Sequence, residues 1–212
     1  MKQYLTTREQ IKRAYPNGIE NLEIGSGDNP EAGYVHLDIQ PGLKDLDILS
    51  DVRKTPIPAN FVSGHIRAVH IMEHFCHPTD SSKEMRKQWG TTIEVVKEMY
   101  RILKPGGKFL IVTPDFEKIT QSAAKKRVRN YWTQRWSVGG HLNNYDVHHW
   151  LWTHDDAKEW FTEAGFKELR DWNPVQGWKE LLKLKWHTED VASNPEWNRV
   201  EWYHWLFFEG TK

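Results

Sequence analysis

Residues 91–113 constrain the fold more narrowly than any other stretch of the chain. Ile93, Val96, Met99, Tyr100 and Leu103 recur at three- and four-residue spacing, which predicts a helix over 91–103 with one buried stripe. Lys104, Pro105, Gly106 and Gly107 then end it, a basic last turn followed by proline and glycine. The apolar run KFLIVT at 108–113 follows at once, and Pro114 stops it. Helix, tight turn and buried strand in immediate succession point to an α/β sheet.

Short apolar runs extend the pattern on either side. NLEIG at 21–25 ends in glycine, YVHLD at 34–38 ends in an acid, and both read as buried parallel strands. A weaker strand is expected at 47–49 and a stronger one, IRAVHIM, at 66–72. Beyond Pro114, a basic helix is expected over 123–136. A second helix is expected over 153–165, where Thr153 and Asp156 form an N-cap pattern and Gly165 supplies the stop. Residues 166–172 and 201–209 read as the last two strands. The alternation predicts a mostly parallel α/β sheet in one domain over 1–212. Within it, 1–20 form a helical segment, 21–114 a ligand-binding core, and 115–212 further helices and the last strands.

Charge and composition exclude several classes. Lys plus Arg and Asp plus Glu both number 29, so no whole-chain field draws nucleic acid or an anionic membrane. Cys76 is the only cysteine, which excludes an internal disulfide and a thiolate zinc site and suits a reducing cytoplasm. The first residues contain no apolar run of signal-peptide length, and no segment has the roughly 18 apolar residues of a membrane helix. A soluble cytoplasmic protein, monomeric or homodimeric, is expected. Seven of the twelve tryptophans lie between Trp160 and Trp205, where large rings serve first as core and groove wall.

In an open α/β sheet, ligands bind outside the carboxyl ends of the strands. Those ends carry Glu23, Gly25, Ser26 and Gly27, then Asp38, then Asp51, then Glu73 and His74. Gly25 and Gly27 let backbone approach a ligand where a Cβ would clash. An acid at the end of the second strand accepts two hydrogen bonds from a ribose diol. GSGDNP lacks the third glycine of the dinucleotide fingerprint and no GK[ST] follows, so a nucleoside without phosphates suits the site better.

These residues resemble the class I S-adenosylmethionine-dependent methyltransferases. LEIGSG at 22–27 looks like their first motif, HLD at 36–38 their ribose-binding acid, SDV at 50–52 their adenine contacts, and HIMEHF at 70–75 their motif after the fourth strand. YRILKPGGKFLIVTP at 100–114 is the most specific match, and DVHHWLWTHDDAKEWFTEAGF at 146–166 is similar to a C-terminal signature. The resemblance implies a Rossmann-like, seven-stranded, mostly parallel sheet with helices on both faces and an antiparallel last strand. It also implies S-adenosylmethionine as cofactor, with S-adenosylhomocysteine as product. Glu23, Gly25, Ser26 and Gly27 would surround the methionine part, Asp38 the ribose, Asp51 and Val52 the adenine, and Ile71, Glu73 and His74 the floor near the methyl group. Only six residues separate Gly27 from Tyr34, fewer than a parallel crossover usually needs, so the first crossover helix is expected to be cut to a turn or replaced.

Methyl transfer is an in-line displacement that needs positioning, with a base where the nucleophile carries a proton. His148, with Asp146 two residues earlier, is the first candidate base and His74 the second, with His141 and His149 in reserve. No HExxH or Cys/His spacing is present, so no metal is predicted. The MEHF after the fourth strand replaces the NPPY or DPPY of base N-methylating relatives, and Cys76 lacks the proline-cysteine context of cytosine C5 enzymes. An oxygen nucleophile on a small molecule or sugar is therefore expected, the resemblance being to polysaccharide-associated methyltransferases. Two alternatives stand: a nucleic-acid or nucleotide-linked substrate held by KKRVRNYWTQRW at 125–136, and a binding module that kept the fold without chemistry.

Overall fold

The computed structural model describes residues 4–27, 30–79, 81–126, 137–139, 147–171 and 205–212. Its strands are β1 (Leu22–Ile24), β2 (Val35–Asp38), β3 (Ile48–Leu49), β4 (His65–Val69), β5 (Lys108–Pro114), β6 (Lys167–Asp171) and β7 (Trp205–Thr211). The described helices are α1 (Arg8–Ala14), α2 (Lys83–Trp89), α3 (Thr92–Ile102), α4 (Phe116–Lys126) and α5 (His154–Ala164).

The strands form one seven-stranded sheet in the order β3-β2-β1-β4-β5-β7-β6. β3, β2, β1, β4 and β5 run parallel, and β7 enters antiparallel between β5 and β6. The order reverses beside β1, from which the chain steps outward to β2 and β3 before returning to β4. That reversal opens a crevice at the carboxyl ends of β1 and β4.

β5 is buried on both faces, as its unbroken apolar sequence requires. Phe109 and Ile111 join Leu206 and Phe208 of β7 in the main core, beneath α3 and α5. Phe161 of α5 stacks on Phe109 at 5.3 Å and meets Phe208 edge-on at 5.1 Å, so aromatic packing seats α5 on the β5–β7 pair. α3 buries Ile93, Val96, Met99 and Ile102, and Thr91 closes a capping box with Glu94. α5 begins with the expected box, Thr153 Oγ1 accepting from Asp156 N and Asp156 Oδ2 from Thr153 N. Gly165 ends it in the left-handed conformation, φ 103°.

Two local expectations change. β4 stops at Val69 rather than continuing to 72, because His70 takes a positive φ of 56° and Met72–His74 form a 3-10 turn. The helix after β5 starts at Phe116 rather than 123, because Asp115 caps it by accepting from Lys118 N at 3.0 Å. Residues 127–136, most of the expected basic helix, lie outside the described residues, as do 201–204 of the expected last strand. Between β1 and β2 the described residues contain no helix, and the strands still pair in parallel.

Candidate active site

The β1 turn, the ends of β2 and β3, and the 70–75 turn enclose a cavity of about 320 Å³. Gly25 and Gly27 both hold positive φ, 65° and 55°. A Cβ on Gly25 would sit 2.3 Å from Ile71 Cδ1, so this position admits no side chain. Gly25 N–H donates to Leu37 O at 2.8 Å, and Gly27 N–H donates to Asp38 Oδ2 at 3.1 Å. Asp38 Oδ1 accepts from Gln40 N at 2.9 Å. Two backbone donors thus fix this carboxylate at the cavity, and each oxygen keeps a lone pair for a further hydroxyl donor.

Of the residues expected in the site, Gly25, Gly27, Asp38, Asp51, Val52, Ile71 and His74 line the cavity together. Asp51 is already engaged: Arg53 donates to it from Nε and Nη2 at 2.5 to 3.0 Å and from its backbone N at 2.8 Å. Burial pushes the Asp51 carboxyl up, but these hydrogen bonds and the guanidinium charge outweigh it and hold the group below its ordinary value.

Glu23, Ser26 and Glu73 do not line it. Glu23 is buried beneath, paired with Arg67 Nε and His36 Nδ1, each at 2.9 Å, and accepting from Glu31 N at 2.9 Å. Arg67 also reaches Glu31 at 3.5 Å. This ionic cluster ties the short β1–β2 connection to β4 where a crossover helix would otherwise pack. Ser26 is buried, and its hydroxyl has no hydrogen-bond partner among the described residues.

Glu73 has no exposed surface. Its Oε2 accepts from Thr113 Oγ1 at 3.0 Å, whereas His70 Nδ1 and His148 Nε2 stand 3.7 and 3.9 Å from Oε1. Burial raises the Glu73 carboxyl, yet His70, His148 and His74 around it more than compensate and hold it down at about 2. His74 meets His148 edge-on, ring centroids 5.2 Å apart, and hydrogen-bonds Val147 O at 2.9 Å through Nδ1. His148 lines a second cavity of about 370 Å³ with Phe116, Ser137, His149, Trp150 and Asp156. Asp146, expected beside His148, and His141 lie outside the described residues.

The sequence reading missed Arg53, His70, Gln88 and Trp89, which also line the first cavity. Gln88 and Trp89 come from α2, in a stretch to which the sequence analysis assigns no element. Its visible signal was the Ser82 cap and Gly90 stop, which mark a short helix.

No protein-family model and no curated protein matches the sequence. Solved structures do match. An S-adenosylmethionine-dependent methyltransferase from Mesorhizobium loti superposes with a TM-score of 0.53 at 13% identity, covering 96% of each chain. An Archaeoglobus fulgidus S-adenosylmethionine-dependent methyltransferase gives 0.50 at 14%, covering 97% of this chain and 92% of that one. Haemonchus contortus phosphoethanolamine N-methyltransferase 2, in complex with S-adenosyl-L-methionine, gives 0.51 at 15% over 97% of this chain, which spans about half (52%) of that protein's length. The chain has the class I S-adenosylmethionine-dependent methyltransferase fold. Among the described residues, no helix is long and apolar enough to cross a membrane.

Proposed function

We propose that this chain is an S-adenosylmethionine-dependent methyltransferase acting on an oxygen of a small molecule or sugar. The observation that carries the reading is the Gly27–Asp38 contact at the mouth of a glycine-lined cavity, at the point where strand order reverses. The cavity suits the cofactor: Asp38 keeps acceptor capacity on both carboxylate oxygens for a ribose diol. Gly25 and Gly27 would admit the methionine portion, Val52 and Asp51 would flank the adenine, and Ile71 would floor the site.

Bound cofactor supplies an electrophilic methyl group on a sulfonium. The chain's own part is to hold an acceptor in line and take its proton, and His148 and His74, at the border of the two cavities, are the candidate bases. The acceptor oxygen gains the methyl carbon, the sulfur keeps the electron pair of the broken bond, and the acceptor proton leaves through the base.

Calorimetric titration with S-adenosylmethionine and S-adenosylhomocysteine tests the reading without knowledge of the acceptor. Micromolar binding of either is expected, and absence of both would overturn it. Transfer of labelled methyl to a sugar or small-molecule acceptor separates an enzyme from a binding module.

A further inference from the structure

We propose that Glu73, His74 and His148 form a binding site for one divalent transition-metal ion, of the Zn²⁺ class, between the two cavities. One ligand atom from each residue lies within 4.8 Å of the others. A metal–ligand distance of about 2.1 Å closes that span with a small inward rotation of the rings. Two imidazoles and one carboxylate are a common donor set for such an ion, and three protein ligands leave positions open.

Two independent features favour a cation here. Glu73 Oε1 is buried and has no hydrogen-bond partner among the described residues, the nearest histidine nitrogens being too far for one. A buried carboxylate oxygen left in that state is costly, and a coordinated cation satisfies it. His74 is also pre-set in its tautomer. Its Nδ1 faces the Val147 carbonyl, which can only accept, so Nδ1 carries the proton and Nε2 keeps its lone pair for a metal. The backbone holds the two ligand-bearing segments together: Glu73 O accepts from His149 N at 2.8 Å, and Met72 O accepts from Trp152 Nε1 at 3.2 Å. The linear spacing from which no metal was predicted misses this set, because His148 joins Glu73 and His74 only in the fold.

The ion's role rests on the methyltransferase reading. His74 lines the first cavity and His148 the second, so the ion stands where an acceptor would meet the methyl group. With the ion bound, His74 and His148 act as its ligands in place of bases, and an acceptor hydroxyl in an open coordination position releases its proton to solvent more readily. The resulting oxygen forms its bond to the methyl carbon as the carbon–sulfur bond breaks and the electron pair stays on sulfur. Methyl ether, S-adenosylhomocysteine and one proton are the products.

The test is calorimetric titration of the chelator-treated chain with Zn²⁺, repeated with Co²⁺ and read by visible absorption. One equivalent is expected to bind. His148→Ala and His74→Gln should weaken binding at least tenfold, while His154→Ala, at the start of α5, should leave it unchanged. Glu73→Gln keeps side-chain volume and gives the same test should a histidine variant fail to fold by circular dichroism. No saturable binding, or wild-type affinity in the folded ligand variants, overturns the site. S-adenosylmethionine binding is measured on the same metal-free sample: retained there without any zinc binding, it sinks the metal site and leaves the methyltransferase reading intact.

Discussion

The backbone N–H of Gly27 donates to Asp38 Oδ2 at 3.1 Å, locking the turn after β1 to the end of β2. One carboxylate therefore shapes the glycine turn and presents acceptor capacity to the cavity. Asp38→Ala should weaken S-adenosylmethionine binding by about 10- to 100-fold, the range for losing hydrogen bonds to a charged group. Calorimetry on wild type and variant reads this directly, and equal affinities would refute the ribose assignment.

Glu23 should matter more to folding than to binding. Replacement by Gln leaves Arg67, which is 1% exposed, with Glu31 alone as an acid partner among those described. Breaking a buried ion pair from one side costs about 3 kcal/mol or more. Urea denaturation should show that loss, and the folded Glu23→Gln protein should keep cofactor affinity within about threefold, equivalent to less than 1 kcal/mol. A larger fall in affinity with unchanged stability would make Glu23 a direct ligand contact.

Gly90 caps α2 with φ 77°, and a Cβ there would lie 2.2 Å from Arg53 Cδ. Gly90→Ala should destabilise the protein by about 1–3 kcal/mol, partly through backbone strain and partly through that clash. Adding Arg53→Ala should recover the clash portion. A double-mutant cycle by urea denaturation measures it, and strict additivity would deny the contact.

Asp51 sets a pH dependence. Its carboxyl titrates below the ordinary value of 3.8 in the folded state because Arg53 stabilises the charged form against the opposing effect of burial. The pair's contribution is therefore full above the unfolded-state value and lost as pH falls through the lower folded-state value. Asp51→Asn should remove that part, giving a shallower fall in urea midpoint between about pH 5 and pH 2.5 than wild type shows. Parallel acid limbs would contradict it. With its side chain 33% exposed, the effect should also shrink in high salt.

What the sequence made legible was what neighbouring residues decide. The α3 stripe, the glycine-proline turn into β5 and the Thr153–Asp156 box are all set within a few residues, and they stand close to where they were expected. The cavity's glycines and Asp38 were legible because strand ends converge in any sheet of this order. The pairing of Arg53 with Asp51, the docking of Gly90 on Arg53 and the burial of Glu23 among His36, Arg67 and Glu31 were not. Each depends on segments that meet only after the sheet forms, and no local periodicity marks them. The end of β4 was misjudged because an apolar pattern cannot reveal the positive φ of His70.

The helix-free link between β1 and β2 also bears on the order of assembly. Leu22 pairs with Val35 only 13 positions on, whereas Lys108 waits for Thr211, about a hundred residues later. Closing the shorter loop costs about 2 kcal/mol less in chain entropy. The strand pair that carries the glycine turn and Asp38 can therefore zip together while β7 is still unplaced. The half of the sheet that forms the cavity does not have to wait for the antiparallel wedge that completes the other half.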